Sequence, residues 1–546
     1  MKCCVLFLAS VVLVGTLVAQ SKSIESAGFP AQITHVVVIV QENRTPDNLF
    51  HFLTPACAVP KGATGLAACT PTPVTSSCYD VAPCGLSNKS GKPLPIPLKG
   101  VSLSDKRDPL HAHSPFDQMC DPDPANGYLC RNDGAWRITP GISYSYVNNP
   151  SVTNSDGSSG YLLGPYLTYA QQYGWANFMY QTNQGPSYPA HQFIFSGTSA
   201  LSATEDAAST FISDNPSKML KGVGCLAPQS ASVAVLSPLL PGRTPCTGGK
   251  FFDNDSVQEC TVGNTELQFP NHPVGSFCSS KTTMGTLLDA QKISWKYYAP
   301  SAGSIWTAPN SIQQICDPQF KSKSNSNLIC AGAEWAAKVD LNKKGADVLN
   351  DITNCNLSEV SWVIPDGLWS DHASSTGDYG PSWVAAVINA IGQNPKCATG
   401  TPNAGQTFWE NTAIILTWDD WGGWTDNQPP PIISSLPCLT NDCQGDYQFG
   451  FRVPLIVVSA YTPQHFISNK TYDFGSVLRT IEGIYGIKQG ALGVADARTT
   501  TDFSDFFQGS FRSYTPVPAL VDATFFLGNK AQAGPSVAPD NDGDDD

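Results

Sequence analysis

The sequence predicts an α/β protein built on a doubly wound, mostly parallel β-sheet. Short, continuously apolar runs recur along the chain, and segments with helical periodicity fall between them. Such runs are typical of strands that are buried on both faces of a parallel sheet. Their alternation with helices favours helices packed on both faces of that sheet.

Local patterns define the individual elements. Five apolar runs are expected to be strands: 35–40, 293–298, 360–364, 413–418 and 455–459. Four segments are expected to be helices: 188–196, 286–291, 381–391 and 474–485. Pro381 suits a first helical turn, and Leu478, Ile481 and Ile484 form an apolar stripe.

Composition excludes several classes of protein. Of the 546 residues, 41% are hydrophobic and only 14% are charged, which excludes a disordered chain, a coiled coil and a collagen-like fibre. The formal net charge is −14. An acidic balance argues against general binding of nucleic acid, which needs a basic surface.

The N-terminus predicts export. Lys2 precedes an apolar run that ends near Ala19, as in a secretory signal peptide spanning residues 1–19. A membrane anchor is the alternative, but the run is shorter than the roughly 20 residues that a spanning helix prefers. We therefore expect the rest of the chain to be secreted or periplasmic.

Cysteine content agrees with export. The chain has 18 cysteines, and Cys3 and Cys4 fall in the signal segment, which leaves an even number. In an exported chain these cysteines indicate disulfides. Zinc ribbons are disfavoured because their close, paired spacings are missing. The spacing leaves the disulfide connectivity open.

One domain is expected over residues 27–510. Two stretches, at about 51–160 and 205–280, are rich in Cys, Pro and Gly and are expected to be disulfide-stapled loops that cover the strand ends. Residues 534–546 are acidic. A solvated, disordered tail is favoured there over a calcium loop.

Polar residues follow two of the predicted strands. Glu42 and Asn43 come after the first strand, and Asp419 and Asp420 come after the fourth, before two glycines. Ligands of α/β sheets bind at the carboxyl ends of strands, and adjacent carboxylates repel unless a cation neutralises them. These residues predict a hard-oxygen site for a divalent cation. The alternatives are an ion pair of Glu42 with Arg44 and a simple turn at Asp420.

A serine and several histidines are further candidates. Ser187 lies where a helix is expected to begin, so its oxygen either caps the helix or faces a cation. His191 follows it by about one helical turn, and His372 follows a predicted strand. His111 and His113 would share one face of an extended segment. Any single histidine is more often structural than catalytic.

Longer motifs carry a family resemblance. The segments are ITHVVVIVQENRTPDNLF at 33–50, GPSYPAHQFIFSGTS at 185–199, SWKYYAP at 294–300, SDH at 370–372, TWDDWGGWTDNQPPP at 417–431, GFRVPLIVVSAY at 450–461 and TYDFGSVLRTIE at 471–482. Together they resemble the bacterial phosphoesterase family, which contains phosphatidylcholine-type phospholipases C and certain acid phosphatases on an alkaline-phosphatase-like fold. The resemblance spans about residues 31–508.

The resemblance implies a metal centre and a nucleophile. Glu42, Asn43, Asp419 and Asp420 would hold one divalent metal ion, which could be calcium, magnesium, manganese or iron. Ser187 would be the metal-bound nucleophile.

Histidines complete the implied site. His113 and His372 would contact the phosphoryl group or protonate the leaving group, and His191 would lie beside the nucleophile. The implied protein is a secreted metal-dependent phosphoesterase, and its substrate is either a phospholipid at a membrane surface or a small phosphomonoester.

The chain also departs from the family pattern. Asn48 and Asn427 stand where the family usually has His, and Ala190 stands where it commonly has Asn. A weakly active or non-catalytic exported binding protein is therefore one alternative. A sulfatase or phosphonate hydrolase is another, although the modified Cys or Ser motif of sulfatases is missing near the first strand.

Overall fold

The computed structural model describes the chain in thirteen segments. These are residues 28–121, 130–139, 141–153, 159–207, 210–238, 250–252, 257–263, 277–322, 325–341, 347–374, 377–433, 447–499 and 501–528. The predicted signal peptide and the predicted acidic tail lie outside the described residues.

An eight-stranded sheet forms the centre of the fold. Its strands are β1 His35–Gln41, β2 Gly174–Met179, β3 Trp295–Tyr298, β4 Val339–Asp340, β5 Val360–Val363, β6 Thr412–Trp418, β7 Leu455–Val458 and β8 Phe466–Tyr472. Their order across the sheet is β4-β3-β5-β1-β6-β7-β2-β8. Only β7 runs antiparallel to its neighbours among these strands.

Helices surround this sheet. In the described part of the chain, those of eight or more residues are α1 His113–Cys120, α2 Gly164–Gln172, α3 Ser187–Ser196, α4 Gly380–Gln393 and α5 Phe474–Tyr485. Shorter helices are Pro46–Leu49, Ala203–Ala207, Met284–Ala290, Gln313–Cys316, Ala333–Lys338, Asp347–Thr353, Phe408–Asn411, Val494–Arg498 and Ala523–Gly528.

Two tryptophans show that helices cover both faces of the sheet. Trp362 of β5 is in register with Val38 of β1, and Trp418 of β6 is in register with Gln41. Because Val38 and Gln41 are three positions apart, the two tryptophans point to opposite faces. Phe195 of α3 packs against Trp362 at 5.0 Å, and a tyrosine of α2 packs against Trp418 at 5.2 Å. The doubly wound, mostly parallel architecture is therefore confirmed.

Smaller strand pairs lie outside the central sheet. They are Cys84–Ser87 with Leu94–Pro97, Lys99–Val101 with Ser145–Val147, Ser151–Thr153 with Ser159–Tyr161, Pro318–Ser322 with Asn325–Cys330, and Ile432–Ile433 with Tyr447–Gln448. A four-stranded sheet contains Phe211–Ile212, Ser232–Pro238, Lys250–Phe252 and Val257–Gly263. The two predicted insertions thus contain more regular structure than their sequence periodicity suggested.

Disulfides staple the loops, as predicted. Among the described residues the pairs are Cys57–Cys78, Cys69–Cys84, Cys120–Cys130, Cys225–Cys278, Cys316–Cys330 and Cys355–Cys397. Within the same residues, the helices are all too short or too polar to cross a lipid bilayer.

A buried guanidinium ties the loop after β6 to the core. Arg452 is fully buried and contacts Asp80 at 3.1 Å and Asp426 at 2.8 Å. Asp47 lies 3.6 Å from the same guanidinium, which also donates to the side-chain oxygen of Asn427 at 2.6 Å. Asn427, one of the departures from the family pattern, is therefore part of a structural network.

Charge balance in this network depends on Arg452. Burial, together with the charge of Asp426, raises the pKa of Asp47 well above its usual range. Burial also raises the pKa of Asp426, against the opposing effect of Arg452. One guanidinium thus offsets only part of the desolvation of the three carboxylates.

Arg452→Met is expected to destabilise the fold strongly. Removing the cation leaves buried carboxylates without a partner, which costs about 3–5 kcal/mol in free energy of unfolding. Urea denaturation followed by tryptophan fluorescence measures the loss. Arg107→Gln is the control, because Arg107 is exposed and pairs with Asp105 across a solvated contact. Equal stability of the two variants would contradict this account.

Candidate active site

The site lies at the carboxyl edge of the central sheet. The last residues of β1 and β6, Gln41 and Trp418, are paired in register. The four residues that follow these strand ends are all fully buried: Glu42, Asn43, Asp419 and Asp420. Because β1 and β6 are parallel neighbours, the polar residues that follow them lie side by side at one edge of the sheet, as the sequence predicts.

Backbone contacts lock the two strand ends together. The Asn43 N–H donates to Asp419 Oδ1 at 3.0 Å, and Asn43 adopts a left-handed φ of 60°. Gly422 faces this residue, and a Cβ at Gly422 would lie 2.5 Å from the Asn43 carbonyl oxygen. The Trp424 indole N–H donates to that same oxygen at 3.1 Å. A glycine is therefore required at position 422 for the strand ends to approach.

Arg44 turns away from the carboxylates. Its guanidinium donates to the carbonyl oxygens of Asp371 and Leu103 and to the side-chain oxygen of Asn48. The alternative of a Glu42–Arg44 ion pair is therefore not what the structure contains. Asn48, a second departure from the family pattern, supports Arg44 instead of facing the strand-end cluster. Arg44 in turn holds the loop that carries His372.

Ser187 is the first residue of α3, and its hydroxyl does not cap the helix. The N-cap is Pro186. The Ser187 hydroxyl lies 3.2 Å from Asp420 Oδ2 and 3.4 Å from Glu42 Oε2 and donates towards both. The sequence left open whether this hydroxyl caps the helix or faces a cation. The structure excludes helix capping and directs the hydroxyl at the carboxylates of the predicted cation site.

The start of α3 offers few backbone donors to an anion. The Tyr188 N–H already donates to Asn215 Oδ1 at 3.0 Å, and Pro189 has no N–H. The backbone N–H groups that a helix N-terminus usually offers to an anion are therefore largely missing here, and negative charge at Ser187 has to be stabilised by other groups.

His191 joins the cluster one turn later. Its Nε2 lies 3.1 Å from Glu42 Oε1 and 3.6 Å from Asp419 Oδ2. Its Nδ1 lies 3.4 Å from the Tyr297 hydroxyl, which donates its own proton to the Trp306 carbonyl oxygen. The tautomer with the proton on Nδ1 donates to the Tyr297 hydroxyl oxygen and turns the lone pair of Nε2 towards the carboxylates, whereas the other tautomer donates Nε2–H to Glu42 Oε1.

This arrangement suits a cation. Burial lowers the pKa of His191 to about 4, despite the opposing charge of Asp419, so the ring is neutral at neutral pH. In the tautomer with the proton on Nδ1, the Nε2 lone pair and the two carboxylates repel one another unless a positive ion lies between them. One ligand atom each of Glu42, His191 and Asp419 lies within 4.8 Å of the others.

Two buried oxygen atoms without hydrogen-bond donors in the described part of the chain also indicate a cation site. Asn43 Oδ1 and Asp419 Oδ2 are buried and lack a hydrogen-bond donor among the described residues. Buried polar atoms are nearly always paired, so each exception needs an explanation. The residues present fit a divalent ion, and His191 would add a nitrogen to the predicted oxygen ligands.

His113 lies against the segment that precedes the serine. It begins α1, and its backbone N–H donates to Asp214 Oδ1 at 2.7 Å. Its Nδ1–H donates to the Gln184 carbonyl oxygen at 3.1 Å. His113 therefore lies near Ser187 in the fold, although the predicted insertion supplies it.

His372 has a carboxylate partner that sequence reasoning missed. The backbone N–H of Ser374 donates to its Nδ1 at 3.3 Å, so in the neutral ring the proton is on Nε2. Asp108 Oδ2 lies 3.6 Å from that Nε2, and both Asp108 oxygens lack a hydrogen-bond partner in the described part of the chain. The interval between Asp108 and His372 is too long in sequence for any pattern to reveal the pair.

With this geometry established, comparison with known proteins identifies the family. The chain belongs to the Phosphoesterase family, whose model matches residues 33–488. It is 26% identical over 230 residues to the non-hemolytic phospholipase C of Burkholderia pseudomallei, across 37% of this chain and 31% of that protein. It is 28% identical over 192 residues to phospholipase C B of Mycobacterium tuberculosis, across 33% of this chain and 32% of that protein.

Further similarities are more distant. The chain is 24% identical over 266 residues to the non-hemolytic phospholipase C of Pseudomonas aeruginosa, across 44% of this chain and 35% of that protein. The chain thus matches about a third of the length of these curated relatives. A solved structure from Vibrio parahaemolyticus, described as a protein in the alkaline phosphatase superfamily, aligns with a TM-score of 0.29 and 10% identity over 62% of this chain and 67% of that chain.

Asp419→Asn is expected to change stability in opposite directions with and without metal. The amide keeps the oxygen that accepts from the Asn43 N–H but removes one of the clustered charges, so the metal-free variant should melt higher than the metal-free parent. Saturating Mn²⁺ should raise the melting temperature of the parent more than that of the variant, because binding stabilises only the folded state. Differential scanning calorimetry after chelation measures both shifts.

Glu410→Gln is the control for this pair of measurements, because Glu410 is exposed. It should respond to Mn²⁺ like the parent. Equal Mn²⁺ stabilisation of Asp419→Asn and the parent would contradict a metal site at the strand ends.

Proposed function

We propose that this protein is an exported, metal-dependent phosphoesterase that cleaves phosphoric ester bonds through a phosphorylated Ser187. The observation that carries the proposal is the hydroxyl of Ser187, directed at Asp420 and Glu42 beside the cluster of Glu42, His191 and Asp419. Membership of the Phosphoesterase family supports it.

One divalent ion would be held at the strand ends. Its proposed ligands are Glu42, Asn43, Ser187, His191, Asp419 and Asp420. Carboxylate and amide oxygens suit magnesium, calcium and manganese, whereas an imidazole nitrogen suits iron and its neighbours better. Of the four predicted ions, the mixed set favours manganese or iron. When bound, the ion would supply positive charge that favours ionisation of the serine and neutralises phosphoryl oxygens.

Ser187 would be the nucleophile. Its Oγ would form a bond to phosphorus as the bond to the leaving oxygen breaks, in line with the attack. Asp420 Oδ2, the nearer of the two carboxylate oxygens that face the hydroxyl, would take its single proton. Water would then release phosphate, or phosphate monoester, from the serine.

His372 would protonate the leaving oxygen. Its Nε2 carries the proton in the neutral ring and lies 3.6 Å from Asp108 Oδ2. Asp108 would hold the ring in place, and the proton for the leaving oxygen would come from Nε2. His113 would contact a phosphoryl oxygen through Nε2, because its Nδ1–H is already used by the Gln184 carbonyl.

Two substrate classes follow from different observations. The relatives named phospholipase C favour the glycerophosphate bond of a phospholipid at a membrane surface. The complete burial of Ser187 favours a small phosphomonoester. Release of phosphate monoester from phosphatidylcholine vesicles, compared with hydrolysis of p-nitrophenyl phosphate, separates the two. Nucleic acid is disfavoured as a partner by the net charge of −14.

Export is proposed on two grounds. The N-terminal sequence has the pattern of a signal peptide over residues 1–19. The disulfides among the described residues also suit an oxidising compartment.

Ser187→Ala is expected to abolish turnover while preserving the fold. Without the hydroxyl no phosphoserine forms, so the rate should fall by several orders of magnitude. Ser187→Thr keeps a hydroxyl and should retain measurable activity, limited by its stiffer side chain. Rapid quench with a labelled phosphoester should trap label on the peptide that contains Ser187 in the parent.

Ser196→Ala is the matched control, since this buried serine of α3 donates to the carbonyl oxygens of Gln192 and Thr198 and does not face the carboxylate cluster. It should keep the activity of the parent. An active Ser187→Ala protein without a trapped adduct would indicate direct attack by water instead.

Asp108→Asn is expected to affect only reactions with poor leaving groups. A general acid contributes roughly 10²–10⁴-fold to expulsion of an alkoxide and little to expulsion of p-nitrophenolate. Asp108→Asn and His372→Asn should therefore both lose kcat on an alkyl phosphoester and both keep most of it on the p-nitrophenyl ester. Asp105→Asn is the control from the same segment. An equal loss on both substrates would contradict the assigned role.

A further inference from the structure

The orientation of one buried amide group is decided by a histidine outside the strand ends. Asn43 Nδ2 lies 3.0 Å from His111 Nε2, and both residues are buried. The other end of the amide, Oδ1, has no hydrogen-bond donor among the described residues. The amide therefore has one occupied end and one end that is available to a ligand.

The proton position on His111 follows from its other contact. His111 Nδ1 lies 2.7 Å from the Pro109 carbonyl oxygen, which can only accept a hydrogen bond. Nδ1 therefore carries the proton, and in the neutral ring Nε2 is an acceptor. Of the two ends of the Asn43 amide, the NH₂ group can donate to this acceptor and the oxygen cannot. The amide oxygen is therefore directed away from His111.

The remaining torsions of Asn43 are already fixed. Its backbone N–H is bound by Asp419 Oδ1, and its carbonyl oxygen accepts from the Trp424 indole. The terminal torsion of an asparagine is intrinsically broad, because rotation by 180° merely exchanges oxygen and NH₂. Such a rotation would present a hydrogen-bond donor to a cation, and a donor cannot coordinate it.

The two glycines of the turn after Asp420 leave room for the segment that carries His111 to approach Asn43. A Cβ at Gly423 would lie 2.5 Å from the Pro109 Cβ and 2.7 Å from the Leu110 carbonyl oxygen. Gly423 also has a φ of 70°. The second glycine of the turn is thus needed for the approach of the segment 109–111, as the first is needed for Asn43.

We propose that His111 is a positioning residue that holds the Asn43 amide with its oxygen towards the cation. The proposal rests on the metal site of the proposed function and adds a residue that does not touch the ion. The predicted insertion at about 51–160 therefore sets metal affinity through a single hydrogen bond. Partners of this kind typically change metal affinity by about 10–100-fold when they are lost.

The test is Mn²⁺ binding by the chelator-treated full-length protein, measured by isothermal titration calorimetry. His111→Phe keeps a ring but loses the acceptor, and it should raise the Kd by about 10–100-fold. His111→Gln offers an amide oxygen as the acceptor and should keep most of the affinity. His51→Leu, which removes an imidazole elsewhere in the same insertion, should bind like the parent. The melting temperature of each metal-free variant confirms folding.

A double variant separates positioning from a general structural effect. Asn43→Ala removes the oriented oxygen, so adding His111→Phe to it should weaken Mn²⁺ binding no further. Additive losses in the double variant, or a parent-like Kd for His111→Phe, would overturn the proposal. A parent that does not bind Mn²⁺ would overturn the metal site itself, whereas a binding parent with an unaffected His111→Phe variant would overturn only the positioning role.

Discussion

The repulsion among buried carboxylates at one sheet edge is the constraint on which the rest of the site depends. Glu42, Asp419 and Asp420 are brought together because β1 and β6 are parallel neighbours with their ends in register. Burial lowers the pKa of the nearby His191 ring to about 4, so the ring adds no positive charge to the cluster at neutral pH. A cluster of this kind costs stability unless a cation occupies it, which is how metal sites differ from ordinary buried ion pairs.

The Arg452 network differs from the strand-end cluster because it contains a cation. There, three buried carboxylates share a guanidinium, and the Asn427 amide adds further hydrogen bonds. The protein itself thus supplies the positive charge of this network. At the strand ends the nearest arginine in sequence, Arg44, is used to hold a neighbouring loop. The Arg452 network therefore contains a cation of the protein's own, whereas the carboxylates at the strand ends have no arginine among the described residues directed at them.

Sequence reasoning succeeded where the pattern was local. Apolar runs located five of the eight central strands, and polar residues directly after two of them located the carboxylate cluster. It missed β2, whose sequence GWANFM lacks β-branched residues, and β8, whose middle is exposed and polar. It also missed β4, which has only two residues. It did not anticipate that His191 points at the carboxylates or that Asp108 faces His372, because both depend on contacts distant in sequence.

Anomalous diffraction from Mn²⁺-loaded crystals tests the central claim most directly. The account predicts a single strong peak at the carboxyl ends of β1 and β6, within bonding distance of Glu42, Asp419 and His191 and adjacent to the Ser187 hydroxyl. Bonding of the Asn43 oxygen, with its NH₂ group on His111, would be visible in the same map. No peak at the strand ends, or a peak that excludes these carboxylates, would contradict the account.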